Sequence, residues 1–174
     1  MRFCSLCGAR VELRRPAGDT FERHVCAGCG EIHYRNPKVV VGAVCIWQDR
    51  VLLCRRAIEP RPGFWTVPAG YLELGESTEE GARREALEEA NARIEIGALL
   101  AVYNVVRIGQ VQLFYSAALL DPNVAAGEET LDLDLFDWTR IPWPELAFPS
   151  VEWVLRRALA LKDTAPPYPP ALEP

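Results

Sequence analysis

Three glutamates, Glu85, Glu88 and Glu89, stand within the stretch GYLELGESTEEGARREALEEANA, which runs from Gly70 to Ala92. Spacings of three and four residues put side chains on one face of a helix. Like charges so placed repel one another unless something cationic sits against them. Carboxylate oxygens suit hard divalent cations, and Mg²⁺ commonly shares its shell with water and substrate phosphate. A glycine loop precedes this face; it can supply a carbonyl ligand and let a phosphate approach closely. Arg84, one residue before Glu85 and four before Glu88, can hold a carboxylate by a charge-assisted bond. Together these residues suggest metal-assisted attack of water on a phosphorus centre. A solvated amphipathic helix is the competing reading, because Glu79 with Arg83, Glu80 with Arg84 and Glu89 with Arg93 form ordinary i,i+4 pairs.

A second set of ligating residues lies at the N-terminus. Cys4-Ser5-Leu6-Cys7 and Cys26-Ala27-Gly28-Cys29 are separated by 18 residues, the double CxxC spacing of a structural zinc site. Each pair is followed by a glycine, Gly8 or Gly30, which lets the backbone turn tightly under a metal. Four thiolates saturate tetrahedral Zn²⁺, so this metal is expected to be structural. His24 and His33 flank the second pair and are read as surface or second-layer residues. Residues 1–36 carry six Arg against four Asp or Glu. Four thiolates around Zn²⁺ bring the sum to about zero, so no nucleic-acid footprint is expected.

These residues need elements to hold them. KVVVGAVCIW reads as a buried strand and RVLLCRR as its return after a Gln48-Asp49 turn. Cys45 and Cys54 fall within these strands as core thiols. AIEPRPGF is a loop, and WTVPAG delivers the chain to Gly70. Ser77 and Glu80 form a capping box that opens the acidic helix, and Asn91 closes it. ARIEIGALLAVYNVV and VQLFYSAALL are strands, DPNVAAGEET is a loop, and LDLDLFDW is a strand with one wet face. Ser150 caps a last helix, VEWVLRRALAL. The expected organisation is a zinc ribbon over 1–36, a mixed α/β domain over 37–162 and a Pro-rich flexible tail over 163–174.

The 174 residues carry a net charge of -5, which argues against a general polyanion-binding surface. No apolar run approaches the ~18 residues of a membrane span. With no apolar leader core in MRFCSLCGAR and cysteines spaced for metal, a reducing cytoplasm is the expected location.

The order Gly70, five residues, Glu76, seven residues, then Arg84-Glu85-Ala86-Leu87-Glu88-Glu89 resembles the signature of the Nudix hydrolases. Ribbon followed by such a domain resembles the subgroup with an N-terminal zinc ribbon, whose members include NADH, FAD and ADP-ribose pyrophosphatase-like enzymes. Asn91 stands where the family usually has glycine, and Ala86 and Ala92 are smaller than the usual aliphatics. The resemblance implies an α/β (α+β) fold: a mixed sheet in an α/β/α sandwich, preceded by the ribbon. It also implies cleavage of a nucleoside diphosphate linked to another moiety, with Mg²⁺ or Mn²⁺. By position, Glu88 and Glu89 would be metal ligands with the Gly70 carbonyl beside them. Glu85 would be a further ligand or the general base, Arg84 would orient a glutamate, and Glu76 would support the loop–helix junction. In some subfamilies a later loop supplies the base, for which Glu128 or Glu129 is the candidate. Paired subunits are common among relatives, so a homodimer is implied.

Substrate choice is less legible. The SQPWPFPxS-like array of NADH-cleaving relatives is missing, and Arg107 stands in the region where ADP-ribose-cleaving relatives often carry proline. Trp65, Tyr71 and Tyr103 could stack a nucleobase or simply pack in the core or at its rim. Arg55, Arg56 and Arg61 could hold a diphosphate or be solvated charges. A non-catalytic nucleotide-sensing module is the alternative to an enzyme. The intact charged positions count against it. RNA binding or cap removal through the ribbon is disfavoured by the ribbon's charge.

Overall fold

The computed structural model describes residues 1–166. The chain forms two compact units, Met1–Pro37 and the chain from Lys38 onward. Residues 167–174, most of the Pro-rich stretch, lie outside the described residues.

The first unit is a small antiparallel sheet of β1 (Val11–Arg14), β2 (Arg23–Cys26) and β3 (Ile32–His33). Both CxxC turns are closed by backbone bonds, from Gly8 N–H to the Cys4 carbonyl at 3.0 Å and from Gly30 N–H to the Cys26 carbonyl at 3.1 Å. Gly8 and Gly30 have φ of 74° and 79°, the left-handed region that favours glycine. The Sγ atoms of Cys4, Cys7, Cys26 and Cys29 all lie within 4.8 Å of one another. Cys4 and Cys29 sulfurs are 3.8 Å apart and those of Cys7 and Cys26 3.4 Å. Four Zn–S bonds of ~2.3 Å in a tetrahedron require about 3.8 Å between sulfurs, so the set fits zinc. His33 Nε2 lies 3.3 Å from the Cys4 sulfur, a partner to a ligand rather than a member of the set. The buried hydrophobic side chains of this unit are Cys4, Val25 and Cys26. So small a core cannot hold the strands alone, and metal binding contributes the missing free energy.

The second unit is built on a mixed sheet in the order β10-β5-β4-β9-β8. Its strands are β4 (Lys38–Trp47), β5 (Arg50–Arg56), β8 (Ile94–Val105), β9 (Gln110–Leu119) and β10 (Thr130–Asp137). Short strands β6 (Trp65–Thr66) and β7 (Ala69–Tyr71) pair with β5 and β4. The β4–β9 pair is parallel, with Lys38 opposite Gln110, and the remaining pairs are antiparallel. Strand periodicity divides the core. Ala43, Cys45, Leu52 and Cys54 face α1 (Thr78–Ala90), packing with Ala86 and Ala90. Val44, Val51, Leu53, Tyr103 and Phe114 face α2 (Pro149–Leu161), packing with Val151, Val154 and Leu155. The result is a helix on each face of a mixed sheet.

One element departs from the sequence reading. α2 begins on Pro149 with Phe148 as its N-cap, and Ser150 is buried inside the first turn. Proline suits the first helical position because its φ is already helical and its missing N–H is not needed there. It therefore starts the helix ahead of the serine.

Zinc should be an integral part of the ribbon. Cys26→Ser should lower bound zinc from about one per chain to near zero by elemental analysis. Hydrogen exchange across residues 1–37 should rise to unfolded rates. Retained zinc with retained protection would refute the four-thiolate assignment.

Candidate active site

Helix α1 is placed by its ends. Ser77 Oγ accepts from the Glu80 N–H at 3.2 Å and the Ser77 N–H donates to Glu80 Oε2 at 2.7 Å, completing the capping box. At the other end Asn91 adopts φ 48°, and its N–H donates to the Leu87 carbonyl at 2.8 Å. Asparagine tolerates this left-handed geometry better than other non-glycine residues, so the missing family glycine leaves the turn intact. The face toward the sheet consists of Gly81, Ala82, Ala86 and Ala90. Such small residues bring the helix close to the sheet and carry Glu85 and Glu89 with it, each 8% exposed. Glu88 is exposed at the rim.

Arg84 ties this helix to the preceding loop. Nε and Nη2 bind the two carboxylate oxygens of Glu76 at 3.1 and 2.8 Å. Nη1 donates to Glu85 at 2.7 Å and to Glu88 at 3.1 Å, and Nη2 also donates to the Tyr71 carbonyl at 3.0 Å. A guanidinium has five N–H groups, and these bonds use them all. Glu76 in turn accepts from the Glu73 N–H at 2.8 Å. Arg84 holds the Glu76 carboxyl down to about 2, so this pair stays ionised.

Gly70 lies directly against Glu85. A Cβ at position 70 would overlap the Glu85 carboxylate. One residue earlier, the Ala69 N–H donates to Glu89 Oε2 at 3.3 Å. The loop strand therefore meets two of the three helix glutamates through backbone.

Glu85, Glu88, Glu89, Glu128 and Glu129 line a cavity of about 330 Å³. Burial first, and the neighbouring Glu85 charge second, raise the Glu89 carboxyl to about 8. Glu85 is also raised, first by burial, with Arg84 opposing the shift. Arg56 counters Glu89 from a distance, whereas Glu129 adds to the upward push on both carboxyls. The lining is thus short of positive charge, and its donors are all oxygens. Among the described residues, only the cysteine set has its ligating atoms already gathered within 4.8 Å; the glutamates face a common space without converging.

The other sequence candidates divide. Tyr71 is 47% exposed, with Lys38 Nζ 4.5 Å above its ring, and remains open to a ligand. Trp65 and Tyr103 do not, which corrects the expectation of base-stacking roles. Trp65 packs edge-on against Phe136 in the core, and Tyr103, fully buried, packs against Phe114 and Trp153. Their strand parity turns both toward α2 and away from solvent. Arg55 is exposed and donates to the Gly63 carbonyl at 2.8 Å. Arg56 donates to the Pro60 carbonyl at 2.9 Å and stacks on Phe148.

The loop carrying Glu128 and Glu129 is fixed in a way the sequence did not reveal. The Ala125 N–H donates to the Ala90 carbonyl at 2.9 Å, and the Gly127 N–H donates to the Glu89 carbonyl at 3.0 Å. The one sequence signal was the glycine just ahead of the paired glutamates.

Comparison with known proteins places this arrangement in a family. A zinc-ribbon family model described as Nudix N-terminal matches residues 2–35, and the NUDIX domain model matches residues 36–171. The chain belongs to the Nudix hydrolase family, in the group that carries an N-terminal zinc ribbon. The crystal structure of a NUDIX hydrolase from Nitrosomonas europaea is 46% identical, with a TM-score of 0.93 over 98% of this chain and 97% of that one. An ADP-ribose pyrophosphatase of Methanocaldococcus jannaschii is 28% identical over 119 residues, covering 66% of this chain and 69% of that protein. The NAD-capped RNA hydrolase NudC of Chromobacterium violaceum is 32% identical over 95 residues. That match covers 54% of this chain and 34% of NudC, so the chain aligns with only about a third of that relative.

The raised carboxyls make stability depend on pH. Folded Glu89 keeps its proton up to about 8, whereas its ordinary value is 4.5, so the folded state holds more protons between these values. Stability of protein stripped of loosely bound divalent cations should therefore fall as pH rises from about 5 to about 8. Glu89→Gln should flatten that decline in thermal melts. A decline unchanged by the substitution would overturn the assignment.

Proposed function

We propose that the chain is a Mg²⁺- or Mn²⁺-dependent pyrophosphatase cleaving nucleoside diphosphates linked to a second moiety, of the ADP-ribose and NADH type. The observation that carries this is the cavity of five glutamates whose buried members are pushed toward protonation by one another and by burial. An oxygen-only, cation-deficient lining fits hard divalent ions. Glu85, Glu88 and Glu89, with the Gly70 carbonyl, are the residues we assign to hold them. A cation so held supplies charge neutralisation for the diphosphate and lowers the pKa of bound water.

The protein's own groups take the remaining roles. Arg84 orients Glu85 and Glu88 and is itself braced by Glu76. Glu129 is the preferred base over Glu85 and Glu128. Arg84 claims Glu85, whereas the charge of Glu129 reaches both buried carboxyls and its own backbone is anchored. In the reaction a water oxygen bonds to phosphorus, its proton passes to the base, and the P–O–P bridge breaks to give two phosphate monoesters. Tyr71, Arg55 and Arg56 are the residues we assign to the rest of the nucleotide. The ADP-ribose preference is supported by the similarity to the ADP-ribose pyrophosphatase of Methanocaldococcus jannaschii, and the NAD-type preference by the similarity to the NAD-capped RNA hydrolase NudC. The small net charge of the ribbon favours free dinucleotides over nucleic acid as substrates.

Glu88→Gln combined with Glu89→Gln should keep the fold and lower kcat/KM by about 10³ or more, several kcal/mol of transition-state stabilisation. The assay is a panel of ADP-ribose, NADH, FAD and an NAD-capped oligonucleotide with Mg²⁺ or Mn²⁺, with products identified by mass. Full activity in the double variant, or tight binding without turnover in the unaltered chain, would refute the enzyme reading. Cleavage confined to the capped oligonucleotide would refute the substrate assignment.

A further inference from the structure

The segment leading to Glu129 is docked on the backbone of the catalytic helix itself, and the docking has one tight point. An α-helix leaves its last carbonyls without partners. Here the Asn91 N–H takes the Leu87 carbonyl, the Gly127 N–H takes that of Glu89, and the Ala125 N–H takes that of Ala90. At Gly127 there is no room for a side chain: a Cβ would overlap the Glu88 carbonyl oxygen and stand 2.9 Å from the carbonyl carbon. Gly127 lies outside the left-handed φ region, so space alone calls for glycine here. Beyond it, the Thr130 N–H returns to the Gly127 carbonyl at 3.1 Å. The Glu129 carbonyl accepts from the Ala57 N–H at 2.8 Å. The glutamate is thereby stretched between two anchors, the end of α1 and the residue following β5.

We propose that Gly127 is a positioning residue for hydrolysis: its close seat on the Glu88 and Glu89 backbone sets where the Glu129 carboxylate stands relative to the helix glutamates. The inference rests on the assignment of Glu129 as base. Because the contact is made to the main chain of Glu88 and Glu89, any displacement of the loop changes the spacing between those two side chains and Glu129. A group that must meet a water at hydrogen-bond distance tolerates little such displacement: an error of about 1 Å can cost about 100-fold in rate.

The test is a double-mutant cycle on the full-length, zinc-loaded chain, with ADP-ribose and Mg²⁺. Gly127→Ala should lower kcat by about 100-fold while leaving KM nearly unchanged. Glu129→Gln should lower kcat by about 10²-fold or more. In the Gly127→Ala background, Glu129→Gln should cost little further, because the base is already misplaced. Losses that simply multiply, or an unchanged kcat in Gly127→Ala, would overturn the positioning role while leaving the pyrophosphatase reading standing. An inert Glu129→Gln in an active enzyme would overturn the base assignment and this role together. No turnover of ADP-ribose, NADH or FAD by the unaltered chain would overturn both inferences, and if NADH or FAD alone is cleaved the same cycle is read with that substrate. If Gly127→Ala does not fold, Ala125→Pro removes the neighbouring anchor N–H and carries the same cycle.

Discussion

An unbalanced set of charges governs the second unit. Five glutamates face one cavity, and the arginine beside them has no donor left to give. Glu85 and Glu89 are taken from water by the close seat of α1 on the sheet, which makes their ionised forms costly. Such a set persists only because other structure holds it in place: the capping box at the helix start, the Glu76–Arg84 brace and the backbone contacts at Gly70 and Ala69. The repulsion that would weaken an isolated helix is relieved by whatever neutralises the cavity, which in the proposed reading is a divalent cation.

Much of this was legible in the sequence for local reasons. Capping boxes, CxxC turns and tight hairpins are fixed by residues only a few positions apart. Accordingly, Ser77 and Glu80, Cys4 to Cys29, and the Gln48-Asp49 turn with its two positive φ values could be read from spacing. Asn91 was legible through the conformational tolerance of asparagine. Trp65 and Tyr103 were not, because an aromatic ring in a strand can face either way and only the pairing register decides. Ser150 misled because a serine before an apolar run reads as a cap, whereas Pro149 had already supplied the helix start. The fastening of Ala125 and Gly127 to α1 joins residues more than thirty positions apart through main-chain groups, whose one trace in the sequence is the glycine itself.

The same division explains why the family is clearer than the substrate. The residues that mark the family sit in one continuous stretch, and in the proposed reading they meet only the diphosphate and not the moieties attached to it. The groups that would distinguish one nucleotide from another come from separate elements: Tyr71 from β7, and Arg55 and Arg56 from the end of β5. Arg56 already serves the fold through the Pro60 carbonyl and the Phe148 ring. A side chain with a structural task is a weaker indicator of ligand than one without.

Helix α1 itself has little to hold it by burial. The side chains it turns to the sheet are glycine and alanine, and its one leucine, Leu87, is 49% exposed. Full burial of a large aliphatic stabilises by roughly 1.5–3 kcal/mol, and none is available here. A capping interaction contributes about 1 kcal/mol and a charge-assisted bond about 1.5–3 kcal/mol, so polar contacts carry a large share of the helix's placement. Hydrogen bonds are directional where apolar contact is not. A helix located by its cap, its arginine and the backbone of a neighbouring loop is held in register to a fraction of an ångström, the tolerance a catalytic constellation requires. Larger aliphatics at Ala82 or Ala86 would add burial but lift the helix from the sheet, carrying Glu85 away from Gly70 and Glu89 away from Ala69. The small residues therefore help to place the cavity's glutamates, although the lining itself is made of the glutamates.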